Sequence, residues 1–318
     1  MEELISVIVP IYNTEPHALE QCLNCIKKQD YKNIEVICVD GESDSPTLNV
    51  INSFLSDTRF KLINTHWGVS RQRNVGIDNS SGNYILFIDS DDYFETNFIT
   101  LLYENIKKTS SDVSIPLLHR CVFLDNELVS DTPYKVGPIN EKVTMQNYFK
   151  YARPGELVNP IKLYKKSLIG DTRFDIKCSY GEDMIFNYEL SKKEFFSCFV
   201  PEAIYNYRVI KNSNSGERRF HSNGWYTIKV LASIIRSRKI KMKESIDGLY
   251  NDFDFVFTTF YYALARRKKF FRLIWMIKYK PVYLKRHHNI HDILFMLFPI
   301  LIVSRRNRKE KKLLEKNG

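Results

Sequence analysis

The chain has 318 residues, 44% of them hydrophobic and 14% aromatic, which excludes an intrinsically disordered protein and allows one large domain or two smaller ones. Its 47 Lys and Arg against 37 Asp and Glu give a formal net charge of +10, a balance that suits phosphorylated substrates, an anionic membrane surface or nucleic acid. Six cysteines are scattered through the chain, and the one close pair, Cys22 and Cys25, has no second pair or nearby histidine to complete a zinc site, so core packing is expected of it and a reducing cytosol of the chain.

The N-terminus, Met1-Glu2-Glu3-Leu4, is acidic, and its apolar run is too short for a signal peptide. Leu4 to Tyr12 then reads as a buried first strand that stops at Asn13-Thr14. Thr14 is positioned to cap a helix that opens at Pro16 and runs to about Lys28. Cys22 and Cys25 fall on it with Leu19, Leu23 and Ile26, as core residues. Ile34 to Val39 is a second apolar strand ending at Asp40-Gly41-Glu42. Pro46 opens a second helix, Arg59 to Ile63 a third strand, and Gly68 to Asn79 a third helix. This alternation predicts a parallel sheet with helices on both faces.

Tyr84 to Ile88 is a fourth strand, apolar throughout, and Asp89-Ser90-Asp91-Asp92 follows at once. Ligands of open α/β sheets gather at the carboxyl ends of strands. Carboxylates delivered there can hold a divalent cation, or can form no more than an acidic turn. No Gly-x-Gly-x-x-Gly follows the first strand, where the chain reads Val9-Pro10-Ile11-Tyr12-Asn13-Thr14, and there is no Walker lysine motif.

After Phe94 the texture changes. Val113 to Leu118 and Cys121 to Leu124 read as two short strands, with Leu128-Val129 returning as a hairpin. A helix is expected from about Thr144 to Tyr151. Leu157 to Leu168 mixes a strand-like run with three lysines. Glu182 and Asp183 stand at the start of a helix carrying Ile185, Phe186 and Leu190, where the helix dipole favours carboxylates. Ile204 to Tyr207 is an aromatic strand, and Arg208 introduces a polar loop. Trp225 to Ile235 is helical in spacing, and Phe253 to Leu264 is rich in Phe and Tyr. Positive charge concentrates from Ala263 to His288, which holds Lys and Arg but no acid. Ile290 to Val303 is apolar yet too short to span a bilayer, so an interfacial membrane segment is expected against the alternative of packing on the domain. The seven histidines form no ligand spacing; His221 lies in the polar loop, either near an acceptor or simply on the surface.

Ser6 to Asn13, Ile37 to Asp40, Gly68 through Arg73-Asn74-Val75-Gly76-Ile77, Gly82 through Asp92-Tyr93, Gly181-Glu182-Asp183 and Tyr205 to Arg208 together resemble, in order, the motifs of family 2 glycosyltransferases. The resemblance covers about residues 4 to 215 and leaves the last hundred residues uncovered. It implies a GT-A fold: a Rossmann-like mixed sheet flanked by helices, with a nucleotide-sugar half over 1–95, an acceptor half over 96–215, and a helical basic region over 216–318. It implies inverting transfer from a nucleoside diphosphate sugar, a UDP-sugar in particular, to a hydroxyl of a glycan or lipid-linked acceptor. Pro10, Tyr12, Asn13, Asp40, Arg73, Asp89 and Ser90 are then expected around the nucleotide sugar, with Asp40 facing the base. Asp91, with Asp89, is expected to hold Mn²⁺ or Mg²⁺. Asp183 is the expected general base, ionised at its ordinary pKa, and Glu182 and His221 are expected on the acceptor side. The implied location is cytoplasmic, at the inner face of the membrane, and nucleic acid is not an expected partner.

The sequence departs from the family at Asp40-Gly41-Glu42-Ser43, where Asp-Asp-Gly-Ser is usual, and at Arg71-Gln72, where small residues are usual. The competing readings are a nucleic-acid-binding protein, suggested by charge alone, and an inactive sugar-nucleotide-binding module. Salt-dependent binding to random DNA, set against UDP binding with Mn²⁺, separates the first of these from an enzyme.

Overall fold

A computed structural model of the chain describes residues 2–124, 127–134, 140–151, 159–178, 181–210 and 224–237, with 240 and 249 as single positions. The expectations for His221, for Phe253 to Leu264, for the basic stretch from Ala263 and for Ile290 to Val303 lie outside these residues.

The first half alternates strand and helix: β1 (Ile5–Ile11), α1 (Pro16–Lys27), β2 (Ile34–Asp40), α2 (Ser45–Phe54), β3 (Phe60–Asn64), α3 (Val69–Asp78) and β4 (Tyr84–Phe87). β1 and β2 are buried along their whole length, which is why their sequences are near-continuous apolar runs rather than alternating ones; the buried polar pair within them, Ser6 and Glu35, is joined by a 2.7 Å hydrogen bond. The second half adds β5 (Tyr93–Phe94), α4 (Phe98–Thr109), β6 (Val113–Leu124), β7 (Glu127–Pro133), β8 (Lys142–Val143), α5 (Tyr148–Tyr151), β9 (Leu163–Lys165), α6 (Lys166–Ile169), α7 (Glu182–Ser191), β10 (Phe195–Ile210) and α8 (Gly224–Ser237).

One ten-stranded sheet runs through both halves in the order β3-β2-β1-β4-β9-β6-β10-β5, with β7 on β6 and β8 on β10. The β3-β2-β1-β4 block is parallel, as the alternation predicts. β9 then enters antiparallel to β4, so the sheet is mixed. The parallel strands present all their carboxyl ends at one edge. An antiparallel β9 brings its own start to that same edge.

The core forms two clusters. One contains Ile8, Ile37, Phe87, Tyr164, Phe174 and Phe186, and the other Val7, Val9, Leu19, Leu23, Leu86 and Tyr205. Alternate β1 side chains enter opposite clusters, as strand geometry requires. Gly76 sets how closely α3 lies on β1: a Cβ there would stand 2.3 Å from Ile8 Cγ2.

Four local expectations are corrected. Thr14 does not cap α1; the Glu15 carboxylate accepts from the amides of His17 and Ala18, since it stands immediately before Pro16 and reaches the free first-turn donors. Val113 to Leu124 is one strand, because Val113 to Phe123 pairs with β10 without a break in its own residues, while β9 and then β7 line its other side. The helix expected from Thr144 is confined to Tyr148–Tyr151. Arg208 does not open a loop but lies within β10, which continues to Ile210.

Candidate active site

The carboxyl edge of the parallel block collects the chain's acidic strand exits. β2 ends at Asp40, which is buried. One of its carboxylate oxygens accepts from the amides of Glu42 and Ser43, each at 3.1 Å. The other, Oδ1, is buried and without a hydrogen-bond partner in the structure. An orphaned carboxylate oxygen is costly to bury and marks a place where a donor from outside the protein can bind. Glu42 has a φ of +68°, a conformation rare for non-glycine residues. Its side chain meets His66 Nδ1 at 2.6 Å.

Beside Asp40, β1 leads into Tyr12 and Asn13. Pro10 itself lies within β1, paired with Val39. Asn13 has a φ of +47°, and its side-chain oxygen accepts from the Asp44 amide at 2.8 Å. Tyr12 is exposed and stacks on exposed Trp67, with ring centroids 6.0 Å apart and planes 25° apart. Gln72 is buried, and its amide donates to the carbonyls of Ile11 at 2.6 Å and Val39 at 2.9 Å. It therefore ties the ends of β1 and β2 together.

β4 delivers Asp89 to Asp92, and the structure separates their environments. Asp92 is fully buried. Its oxygens accept from the Tyr205 hydroxyl at 2.7 Å and from the Arg208 amide at 2.8 Å. Burial first, then Asp91 and Asp89, hold its pKa well above the usual carboxylate range. The Tyr205 hydroxyl also accepts from the Asp89 amide, and Arg208 Nε donates to the Asp91 carbonyl. Arg208 packs its guanidinium over the rings of Phe123 and Tyr93. The long strand β10, next to β5 in the sheet, thus clamps the acidic turn. Ser90 is buried and shares a 2.6 Å hydrogen bond with Thr14, which ties this turn to the β1 exit.

Arg73 brings the distant halves together. It is buried on α3 and forms ion pairs with Asp89 at 2.9 Å and with Glu182 at 3.0 Å. Burial opposes its charge, but Asp89, Glu182 and Asp183 more than offset this, and its pKa lies above the ordinary value. Its guanidinium also lies 5.3 Å from the centre of the Phe174 ring, which stacks on Phe186 of α7 at 3.9 Å. The start of α7, with Glu182 and Asp183, is thereby held at the same edge as β4.

Asp183 is partly buried. One oxygen accepts from the Met184 amide at 2.8 Å. Burial first and then Glu182 push its pKa up to about 7, against Arg73 and Lys162. The expectation of an ordinary carboxylate pKa is corrected: desolvation and a like charge outweigh Arg73, the Met184 amide and Lys162. Lys162, just before β9, is fully buried, and burial draws its pKa down to about 7. Sequence reasoning missed it, although a lysine between Ile161 and Leu163-Tyr164 is a charge inside an apolar run. Trp67, Tyr205 and the Arg73–Glu182 pairing were also missed as site features. Cys22 is a buried core residue, as expected, while Cys25, also expected in the core, is only partly buried against it. Among the described residues, no three His, Cys, Asp or Glu side chains converge on a metal position.

The sequence family described as Glycosyl transferase family 2 matches residues 6–169 of this chain. The chain belongs to glycosyltransferase family 2. Its relatives include the glycosyltransferase GlyA of Streptococcus pneumoniae serotype 4, 32% identical over 228 residues that cover 68% of this chain and 32% of GlyA. GlyG of the same organism is 29% identical over 219 residues, covering 65% of this chain and 71% of GlyG. The match thus spans only about a third of GlyA, though most of GlyG. Among solved structures, Staphylococcus aureus TarS 1–349 in complex with UDP-GlcNAc superposes with a TM-score of 0.59 at 22% identity, covering 78% of this chain and 71% of that one. That likeness supports the mixed α/β GT-A architecture for this family 2 member.

Proposed function

We propose that this family 2 member is an inverting glycosyltransferase that moves a sugar from a UDP-sugar to a hydroxyl of a glycan or lipid-linked acceptor. The observation that carries this reading is Arg73, whose two ion pairs hold the Asp89 turn and the Asp183 helix around one edge. A donor handled at the first and an acceptor activated at the second meet there. The family supplies the prior, and UDP-GlcNAc in the TarS complex supplies the first donor to try.

In this reading the base lies against the exposed Tyr12 ring, and its imide N–H donates to the orphaned Asp40 Oδ1. Asn13, Ser90 and Arg73 order the walls around the nucleotide. Asp91, with the share of Asp89 that Arg73 leaves, fits Mn²⁺ or Mg²⁺, which take one or two carboxylates and complete their shell with phosphate oxygens and water. Such an ion supplies Lewis-acid stabilisation of the departing diphosphate. Asp92 does not fit that role, because its oxygens are engaged by Tyr205 and Arg208. Asp183, in its ionised form, takes the proton from the acceptor hydroxyl as that oxygen attacks the anomeric carbon from the face opposite the diphosphate. Glu182 is held by Arg73 and positions rather than reacts.

A screen of nucleotide sugars for release of UDP in the presence of Mn²⁺, with calorimetry of UDP binding, tests the reading. We expect turnover of at least one UDP-sugar and metal-dependent UDP binding that Asp91→Ala abolishes. Metal-independent binding unchanged in Asp91→Ala sinks the metal role, and turnover retained by Asp183→Asn sinks the base.

A further inference from the structure

Lys162 is a buried charge for which the scheme above has no use. β9 runs antiparallel to β4, with Leu163 opposite Leu86. The residue before Leu163 therefore lies at the carboxyl end of β4, the edge where Asp89 emerges and Asp183 is held. Lys162 is fully buried. Its ammonium donates to the carbonyl of Asn159. The same carbonyl accepts from the Asn187 side chain at 3.3 Å. Asn187 sits one turn along α7 and also donates to the Asp183 carbonyl at 2.9 Å. Its oxygen is fixed in turn by the Tyr164 hydroxyl at 2.9 Å. β9 and its approach are thus joined to the first turn of α7 through a hydrogen-bonded chain that ends on Asp183.

We propose that Lys162 is a positioning residue for the base, a buried counter-charge that keeps the Asp183 carboxylate ionised and α7 in register with the donor edge. The proposal rests on the reading of Asp183 as the base. Charged and titratable groups face that carboxylate from three sides. Glu182 on α7 disfavours its ionisation, Arg73 from α3 favours it, and Lys162 favours it from the β9 side. Tyr164 of β9 also feels the Asp183 charge. Arg73 is already shared between Asp89 and Glu182. Its own charge is maintained only weakly in this position, since burial draws its pKa down and Asp183 alone is seen to oppose that. Each charge therefore sustains the other, and losing one shifts the titration of its partner.

The test uses the full chain. UDP-GlcNAc, UDP-glucose and UDP-galactose are supplied with Mn²⁺, water serving as acceptor. In Lys162→Met the acid limb of the hydrolysis profile should move up by roughly one pH unit, the scale of a single lost charge partner. UDP affinity by calorimetry should stay within about twofold of the wild type, since RT scales such changes to small energies. Lys162→Arg keeps a permanent cation and should return the limb to the wild-type position or below. An unmoved limb in Lys162→Met, or a loss explained wholly by weaker UDP binding, overturns the proposal while leaving Asp183 as the base. A readout without turnover uses unfolding midpoints of the single and double variants at pH 7, where both groups still carry charge. Removing the Asp183 charge should raise the midpoint more in the Lys162→Met background than in the wild type, because there the carboxylate has lost a counter-charge. Equal increments overturn the proposal even if no sugar is hydrolysed. Full turnover in Asp183→Asn with normal Lys162 fails the base reading instead, and is recognised as such because Lys162 is untouched.

Discussion

A carboxylate at a helix start is ordinarily a stabilised anion, yet burial and then Glu182 push the Asp183 pKa up to about 7. The sign of its effect on stability follows. The folded state holds the Asp183 proton more tightly than the unfolded chain, whose carboxylates titrate near 4. From about pH 4 to pH 7 the native state therefore binds the extra proton, and stability falls as pH rises through that window. Asp183→Asn removes this penalty. Its unfolding midpoint should exceed the wild type by more at pH 8 than at pH 4, and equal gains at both pH values would contradict the assigned shift. The same variant should lose about 10²- to 10⁴-fold in turnover, the usual share of a general base, which a UDP-release assay measures. The environment that sets this cost could not be read from the sequence. Lys162 and Glu182 come from segments 21 and 1 positions away in sequence, and Arg73 from the first half of the chain.

The elements matter through how closely they approach. α3 carries Arg73 on the face that also carries Gly76 and Ile77. Gly76 lets that face settle on β1, since a Cβ would stand 2.3 Å from Ile8 Cγ2. Gly76→Val should overpack the contact and cost about 1–3 kcal/mol, visible as a lowered denaturant midpoint. It should also push Arg73 away from Asp89 and weaken UDP binding out of proportion to the stability loss; unchanged affinity would separate the helix position from the site. β10 acts in the same way on the acidic turn. Tyr205 and Arg208, more than a hundred residues beyond Asp92, engage its two oxygens, while Asp89 turns instead to Arg73. The resemblance singled out Asp89 and Asp91 among four acidic or polar residues in a row. Only the strand beneath assigns Asp92 to the interior.

Across the whole molecule, charge and architecture are segregated. Acidic strand exits converge at one sheet edge, while Lys and Arg accumulate over residues 263–288, beyond the described residues. No helix among the described residues is long and apolar enough to cross a membrane. Attachment through the basic stretch predicts that the full chain co-sediments with vesicles containing anionic phosphatidylglycerol and not with pure phosphatidylcholine. With each basic residue contributing about 1 kcal/mol near an anionic surface, added salt should release it. Equal binding to both vesicles, or binding indifferent to salt, would remove the electrostatic anchor.

The sequence by itself determined the strand–helix alternation, the burial of β1, β2 and β4, and the delivery of carboxylates to strand exits. These follow from local patterns, because a strand buried on both faces must be apolar and must turn polar where it emerges. It also carried the family, through ordered motifs. The tertiary structure alone decided that β9 enters antiparallel and brings Lys162 to the active edge, that Arg73 joins Asp89 to Glu182, and that Asp92 is withdrawn while Asp40 keeps an orphaned oxygen. Those outcomes depend on contacts between segments far apart in the chain and on the desolvation that close packing imposes. Neither leaves a periodic trace in the sequence of any one segment.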